Sequence, residues 1–185
     1  SQPTFTANGI NFNPAFQFDG TDDFLAINKS FSAATAGEEM FAAVLPESAA
    51  GANILGMGNV ANTTATEEFR YINDSLQFGA APSYTAVTSA TATDGFPQIA
   101  NAHRFQDNTT PTKLLLNGSE VASGTVNARP NIDRIDIGAR RIQANDNQTF
   151  KGMMAEVLLF NRQLTSAERQ QVTSCLLYTS PSPRD

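Results

Sequence analysis

The chain has 185 residues, long enough for one domain with a sizeable core of its own. Its net charge of −6, with only 16% charged residues, excludes the clustered basic surface that a nucleic-acid partner requires. No apolar run approaches the roughly 20 residues of a membrane-spanning helix, and Cys175, the single cysteine, cannot close an internal bridge.

In chain order, Phe16-Gln17-Phe18-Asp19 alternates apolar and polar side chains as a half-buried strand does, breaks at Gly20, and resumes near Phe24. Apolar runs follow at Phe41 to Leu45, closed by Pro46, and at Ile54 to Gly58, Phe69 to Ile72 and Leu76 to Phe78. Lys113 to Leu116 then meets Asn117-Gly118, the dipeptide suited to a type I′ turn, and Glu120 to Ala122 returns as the second arm of a hairpin. Ile135 to Gly138 is a further strand, and Phe150 to Phe160 a last one. Thr165-Ser166-Ala167-Glu168 fits a capping box, which predicts a helix starting near Ser166. Many short, turn-punctuated strands and one short C-terminal helix predict an all-β, two-sheet antiparallel sandwich, with Phe16, Phe18, Val157 and Leu159 in its core.

Two segments carry a family resemblance: Phe16 to Phe24, reading F-x-F-D-G-x-x-D-aromatic, and Gly152 to Thr165, reading G-x-x-A-E-aliphatic-aliphatic-aromatic-N-R-x-L-T. Together they resemble the opening and closing signatures of LamG-like (laminin G-like) domains in the concanavalin A-like lectin/glucanase superfamily. The resemblance covers about Pro3 to Thr173 and implies a jelly-roll sandwich. It also implies that residues 1–173 form a LamG-like domain lacking an upstream strand, carried with other domains in a secreted or cell-surface bacterial protein. Residues 174–185 depart from the family pattern and carry Pro181 and Pro183, so they are expected to be a non-native or disordered tail outside the core.

The fold leaves function open, so it must be argued from the sites. Retaining glucanases of this superfamily resemble one another in an E-x-D-x-E strand whose alternate carboxylates face one cleft. Here Glu38-Glu39 and Glu67-Glu68 are adjacent, which sends each pair to opposite faces of its strand. Lyase relatives use a Q-I-H strand; Gln98-Ile99-Ala100 lacks the histidine, and His103 stands four residues later. No catalytic motif is complete, and a binding module is the expected class, with glycan or another extracellular surface ligand as partner. The alternatives are a structural spacer or adhesin module without a small ligand, and a degenerate polysaccharide-active enzyme.

Sugar recognition pairs planar amides, carboxylates and guanidinium groups with hydroxyls, often beside an aromatic platform. With no Trp, and with 13 Phe residues suited to the core, the polar candidates stand out. They are Arg70, Tyr71, Asn73 and Asp74 on one strand and turn, His103 and Arg104 on another, and Arg140, Arg141, Gln143, Asn145, Asp146 and Asn147 in the loop before the last strand. A solvated hairpin tip is the plain alternative for that loop. The resemblance also implies Ca²⁺, a hard ion wanting six to eight oxygens, with Asp19, Asp22, Asp23 and Glu156 as its candidate ligands. Glu156 is included because it lies between Met154 and Leu158 on an otherwise apolar face. The competing account is a hydrogen-bonded network in which Asp19 accepts N–H groups of its own turn and Glu156 pairs with an arginine.

Overall fold

The computed structural model describes residues 1–31, 37–48, 52–80, 85–92, 95–105, 107, 109–127, 131–140 and 148–179. Among them the strands are β1 (Thr4–Ile10), β2 (Asn13–Asp19), β3 (Leu25–Phe31), β4 (Glu38–Ser48), β5 (Ala52–Asn59), β6 (Asn62–Ile72) and β7 (Ser75–Ala80), then β8 (Thr85–Ala92), β9 (Gln98–Arg104), β10 (Thr112–Leu116), β11 (Ser119–Gly124), β12 (Ile132–Ile137) and β13 (Lys151–Phe160). Helix α1 spans Ser166–Thr179. The strands form two antiparallel sheets, one of seven in the order β1-β2-β13-β4-β9-β10-β11 and one of six in the order β3-β12-β5-β6-β7-β8. This is the expected jelly-roll sandwich. No described helix is long and apolar enough to cross a membrane.

Alternation along the strands divides the side chains between the faces. Met40, Ala42 and Val44 of β4 and Ala100 and Ala102 of β9 meet Ile54, Met57, Phe69 and Phe78 of the smaller sheet in the main core. Their neighbours Phe41, Ala43 and Ile99 point to the other side, where Leu164 and Leu176 cover them. The Asn117-Gly118 hairpin forms as predicted, with φ of 50° and 83° at the two turn residues, a conformation that glycine adopts without steric cost. A similar turn at Asn73 and Asp74, with φ of 47° and 63°, joins β6 to β7.

Several expectations need correction. Phe18 is buried at 1% exposure and stacks edge-on against Phe150, but Phe16 is 39% exposed. It lines an open cleft between β2 and β3 with Phe18, Leu25 and Ile137, and packs against Phe5 rather than under the second sheet. Val157 and Leu159 are half-buried against the core. β4 runs through Pro46, which stands opposite Gly152 at a register shift where the ladder is already interrupted.

The helix begins where the capping box places it. Glu168 N–H donates to Thr165 Oγ1 (3.3 Å), and Thr165 N–H donates to Glu168 Oε2 (2.8 Å). It then continues past Thr173 to Thr179, so residues 174–179 are not a disordered tail. Leu176 is 2% exposed in the cluster with Phe41 and Ile99, and Pro181 lies beyond the last helical residue, where it breaks nothing. Residues 180–185 lie outside the described residues. Leu176→Ala should therefore cost about 2–4 kcal/mol in denaturant unfolding. A loss below about 0.5 kcal/mol, the size of a surface substitution, would show that the helix end does not pack.

Candidate functional site

The outer face of the six-stranded sheet carries a row of polar side chains set by strand register. Asn53 of β5 stands opposite Arg70 of β6, Arg70 opposite Gln77 of β7, and Gln77 opposite Thr88 of β8. From Arg70 onward the row is bonded side chain to side chain: Arg70 Nε donates to Gln77 Oε1 (2.8 Å), and Gln77 Nε2 donates to Thr88 Oγ1 (2.8 Å). Glu68, two residues before Arg70 and on the same face, accepts from Arg70 Nη1 at 2.5 Å and from Arg140 Nη1. The Glu68 side chain is fully buried, that of Arg70 is 9% exposed and that of Arg140 17%. Two guanidinium groups from residues 70 apart in the chain thus converge on one carboxylate.

A narrow stem brings Arg140 there. Gly138 N–H bonds Ile54 O (3.0 Å), Phe150 N–H bonds Gly138 O (2.7 Å), and Arg140 N–H bonds Gln148 O (3.3 Å). This stem crosses β5 at Gly56, where a Cβ would come within 2.6 Å of the Ala139 carbonyl oxygen and 2.8 Å of the Arg140 Cα. Glycine is what lets the backbone lie so close. From the stem, Gln148 reaches the polar row. Its Oε1 accepts from Arg70 Nη1 (2.7 Å) and from Asn53 Nδ2 (3.0 Å). Asn53 is fully buried, and its Oδ1 has no hydrogen-bond partner among the described residues.

Of the candidate ligand-binding residues, Arg70 and Arg140 are the ones brought together. Arg141, Asn145 and Asp146, with Gln143 and Asn147, lie outside the described residues. Tyr71, next to Arg70, points the other way into the main core at 0% exposure, where burial pushes its phenol pKa up. Asn73 and Asp74 are exposed turn residues in the left-handed conformation, outside the polar row. His103 and Arg104 are adjacent on β9 and therefore divided by the sheet, and both are buried, at 7% and 0% exposure. Arg104 faces the interior between the sheets, paired to Glu38 and Glu67, and His103 faces Glu39 on the opposite side, so neither joins the polar row of the six-stranded sheet.

Asp19, Asp22 and Asp23 do cluster, each offering a carboxylate oxygen within 4.8 Å of the others. Asp19 Oδ1 accepts the N–H groups of Thr21 (2.7 Å) and Asp22 (3.3 Å), and Asp23 Oδ2 accepts that of Asp19 (3.1 Å). Glu156 is not in the group. The register slips between Met154 and Glu156, so Met154 and Val157 share the core side and Glu156 is exposed. In water a carboxylate needs no buried partner, which removes the reason for pairing it.

No family model and no curated protein sequence matches the chain. Solved structures do match in fold. A native heptameric SAP-like pentraxin from Limulus polyphemus superposes with a TM-score of 0.67 at 13% identity over 93% of this chain and 85% of that one. The CBM40 domain of the Ruminococcus gnavus IT-sialidase, solved bound to α2,3-sialyllactose, gives 0.63 at 13% identity over 83% of this chain and 97% of that one. The NanB sialidase of Streptococcus pneumoniae gives 0.68 at 13% identity over 92% of this chain, but the match spans only 28% of the enzyme. At these identities the likeness is one of fold alone, that of a jelly-roll sandwich.

The sequence reading missed Asn53, Glu68, Gln77 and Gln148. Gln77 had a usable signal, because a two-residue Asn73-Asp74 turn sets the register that puts it opposite Arg70; Asn53 and Gln148 had none, being joined to Arg70 only in three dimensions.

His103 builds a different feature, the clasp that holds α1. Glu39, fully buried beneath the helix, accepts from His103 Nδ1 (2.6 Å), Asn101 Nδ2 (2.8 Å), Arg169 Nε (2.9 Å) and the N–H of Leu164 (3.3 Å). Burial alone would raise the Glu39 pKa; the bonds from His103 and Asn101 and the charges of His103 and Arg169 outweigh it and hold the carboxyl below its ordinary 4.5. A depressed carboxylate stabilises the fold above the unfolded pKa and loses that contribution as pH falls through the folded one. Melting temperatures of wild type and Glu39→Gln should therefore differ most at neutral pH and converge below pH 4.5. A constant difference across that window would show that Glu39 is not ionised in the fold.

Proposed function

We propose that this chain is a non-catalytic, glycan-binding LamG-like module of an extracellular bacterial protein, with its ligand seated on the outer face of the six-stranded sheet. The observation that carries the reading is the convergence of Arg70, Arg140, Glu68, Gln77, Asn53 and Gln148 on that face. A saccharide presents several hydroxyls at fixed angles, and planar amides and guanidinium groups whose positions are set by strand pairing and by the Glu68 carboxylate are suited to meeting them. The CBM40 domain solved with sialyllactose lends support, since it shares the fold and is itself a carbohydrate-binding module. Against a hydrolytic role, Glu38, Glu39, Glu67 and Glu68 are all buried and each is paired to arginine or histidine, which leaves none of them placed to protonate or attack a glycosidic bond.

Calcium at the Asp19 turn is a second part of the proposal. Asp19, Asp22 and Asp23 would supply three of the oxygens the ion needs, and Glu156 is left out. The turn is tied to the stem of the binding face, because Thr149 Oγ1 donates to Gly20 O (2.6 Å). An ion there would stiffen the base of that stem.

A glycan array probed with wild type, Arg70→Ala and Arg140→Ala tests the site. Binding should fall about tenfold or more in each variant, as expected when a central guanidinium is removed. Wild-type affinity in both variants would place the ligand elsewhere.

Asp19→Ala should destabilise by about 0.5–1.5 kcal/mol through loss of the exposed hydrogen bonds to its own turn. Melting both proteins with Ca²⁺ and with a chelator separates ion from network. Chelation should lower the wild type and not the variant; if it affects neither, the hydrogen-bonded turn alone accounts for the cluster.

A further inference from the structure

Gln148 is placed as a ligand would be. Its side-chain oxygen sits between two donors from different strands, Arg70 Nη1 at 2.7 Å and Asn53 Nδ2 at 3.0 Å, and it arrives from a stem outside the sheet. Arg70 and Asn53 are opposite one another across β5 and β6, so the spacing of these donors is set by strand register and does not depend on Gln148. Beside them Asn53 Oδ1 is buried and has no partner among the described residues. That orphan acceptor is costly to keep, and a side chain evolved only to fill the face would be expected to satisfy it.

Resting on the glycan-binding reading, we infer that Gln148 is a built-in surrogate ligand: its amide occupies the seat of a saccharide oxygen and must be displaced for binding. The incoming oxygen, whether of a hydroxyl or a carboxylate, accepts from Arg70 and Asn53 as Gln148 Oε1 does. A neighbouring sugar hydroxyl then donates to Asn53 Oδ1, which Gln148 leaves unsatisfied. The exchange conserves the bonds that Gln148 gives up and gains one. Its net free energy is therefore favourable but small, and the free protein keeps its guanidinium groups paired. A substitution that removes the surrogate raises affinity; one that binds Arg70 more tightly lowers it.

The test is a printed array of neutral and acidic saccharides titrated with wild type, Gln148→Ala and Gln148→Glu. Gln148→Ala should lower the half-saturating concentration about tenfold, by abolishing two hydrogen bonds that compete with the ligand. Gln148→Glu puts a carboxylate against Arg70 and should raise the half-saturating concentration by a similar factor while raising the melting temperature. Opposite movement of the two variants is the signature, since a merely structural Gln148 would weaken binding, or leave it unchanged, in both. Were Gln148→Ala not to fold, unchanged binding in Gln148→Glu would by itself overturn the inference. If wild type binds and both variants bind equally well or both worse, the surrogate role is wrong and the glycan-binding reading stands. If no saccharide is retained by wild type or by Gln148→Ala, both fail.

Discussion

A guanidinium buried between the sheets is the contact on which the rest of the sandwich depends. Arg104 has no exposed side-chain surface, yet it lies 2.5 Å from Glu67 on the opposite sheet and 3.5 Å from Glu38 on its own. It also donates to the carbonyl oxygens of Phe105 and of Asn127 (2.6 Å), and its guanidinium stands 5.7 Å from the centre of the Phe78 ring. Burying such a group is tolerable only when its charge and its N–H donors are met, and truncating one partner of such a pair typically costs about 3–5 kcal/mol. Because Glu67 and Arg104 belong to different sheets, the pair holds them in register as well as together.

That requirement propagates through the pleat. With Glu38, Glu67 and Arg104 committed to the interior, their chain neighbours Glu39, Glu68 and His103 are forced outward. On the larger sheet, Glu39 and His103 come to lie under α1, where they anchor Arg169. On the smaller sheet, where none of the described residues forms a helix over Glu68, that carboxylate gathers Arg70 and Arg140. One alternation therefore produces a structural face and a chemically furnished one. On that face Asn53, Arg70 and Gln77 stand on paired strands, which fixes their spacing, while Arg140 and Gln148 reach it from the stem.

Local signals in the sequence reached as far as strand identity and turn type. Asn117-Gly118 announced its hairpin, and Thr165 with Glu168 announced the start of α1, because both depend on backbone conformations that neighbouring residues dictate. The same reasoning faltered where a contact from elsewhere decided the outcome. Phe16 has the pattern of a core residue but faces an open cleft, since burial depends on what the other sheet supplies at that point. Glu156 looked stranded on an apolar face until a register slip in β13 shifted every following side chain by one position. The helix end at Leu176 was invisible because its partners, Phe41 and Ile99, are more than 70 residues away in sequence.

The sequence by itself determined the class of fold, the positions of most strands, the capped helix and the acidic turn at Asp19, all of which follow from interactions among residues a few positions apart. It also named Arg70 and Arg140 as polar candidates without relating them. Tertiary structure alone decided that these two share Glu68, that Tyr71, His103 and Arg104 are buried away from that face, and that Gln148 reaches across to Asn53 and Arg70. The reason is physical: parity along a strand states only that neighbours part, whereas which face meets the other sheet, a helix or solvent is settled when the sheets pack.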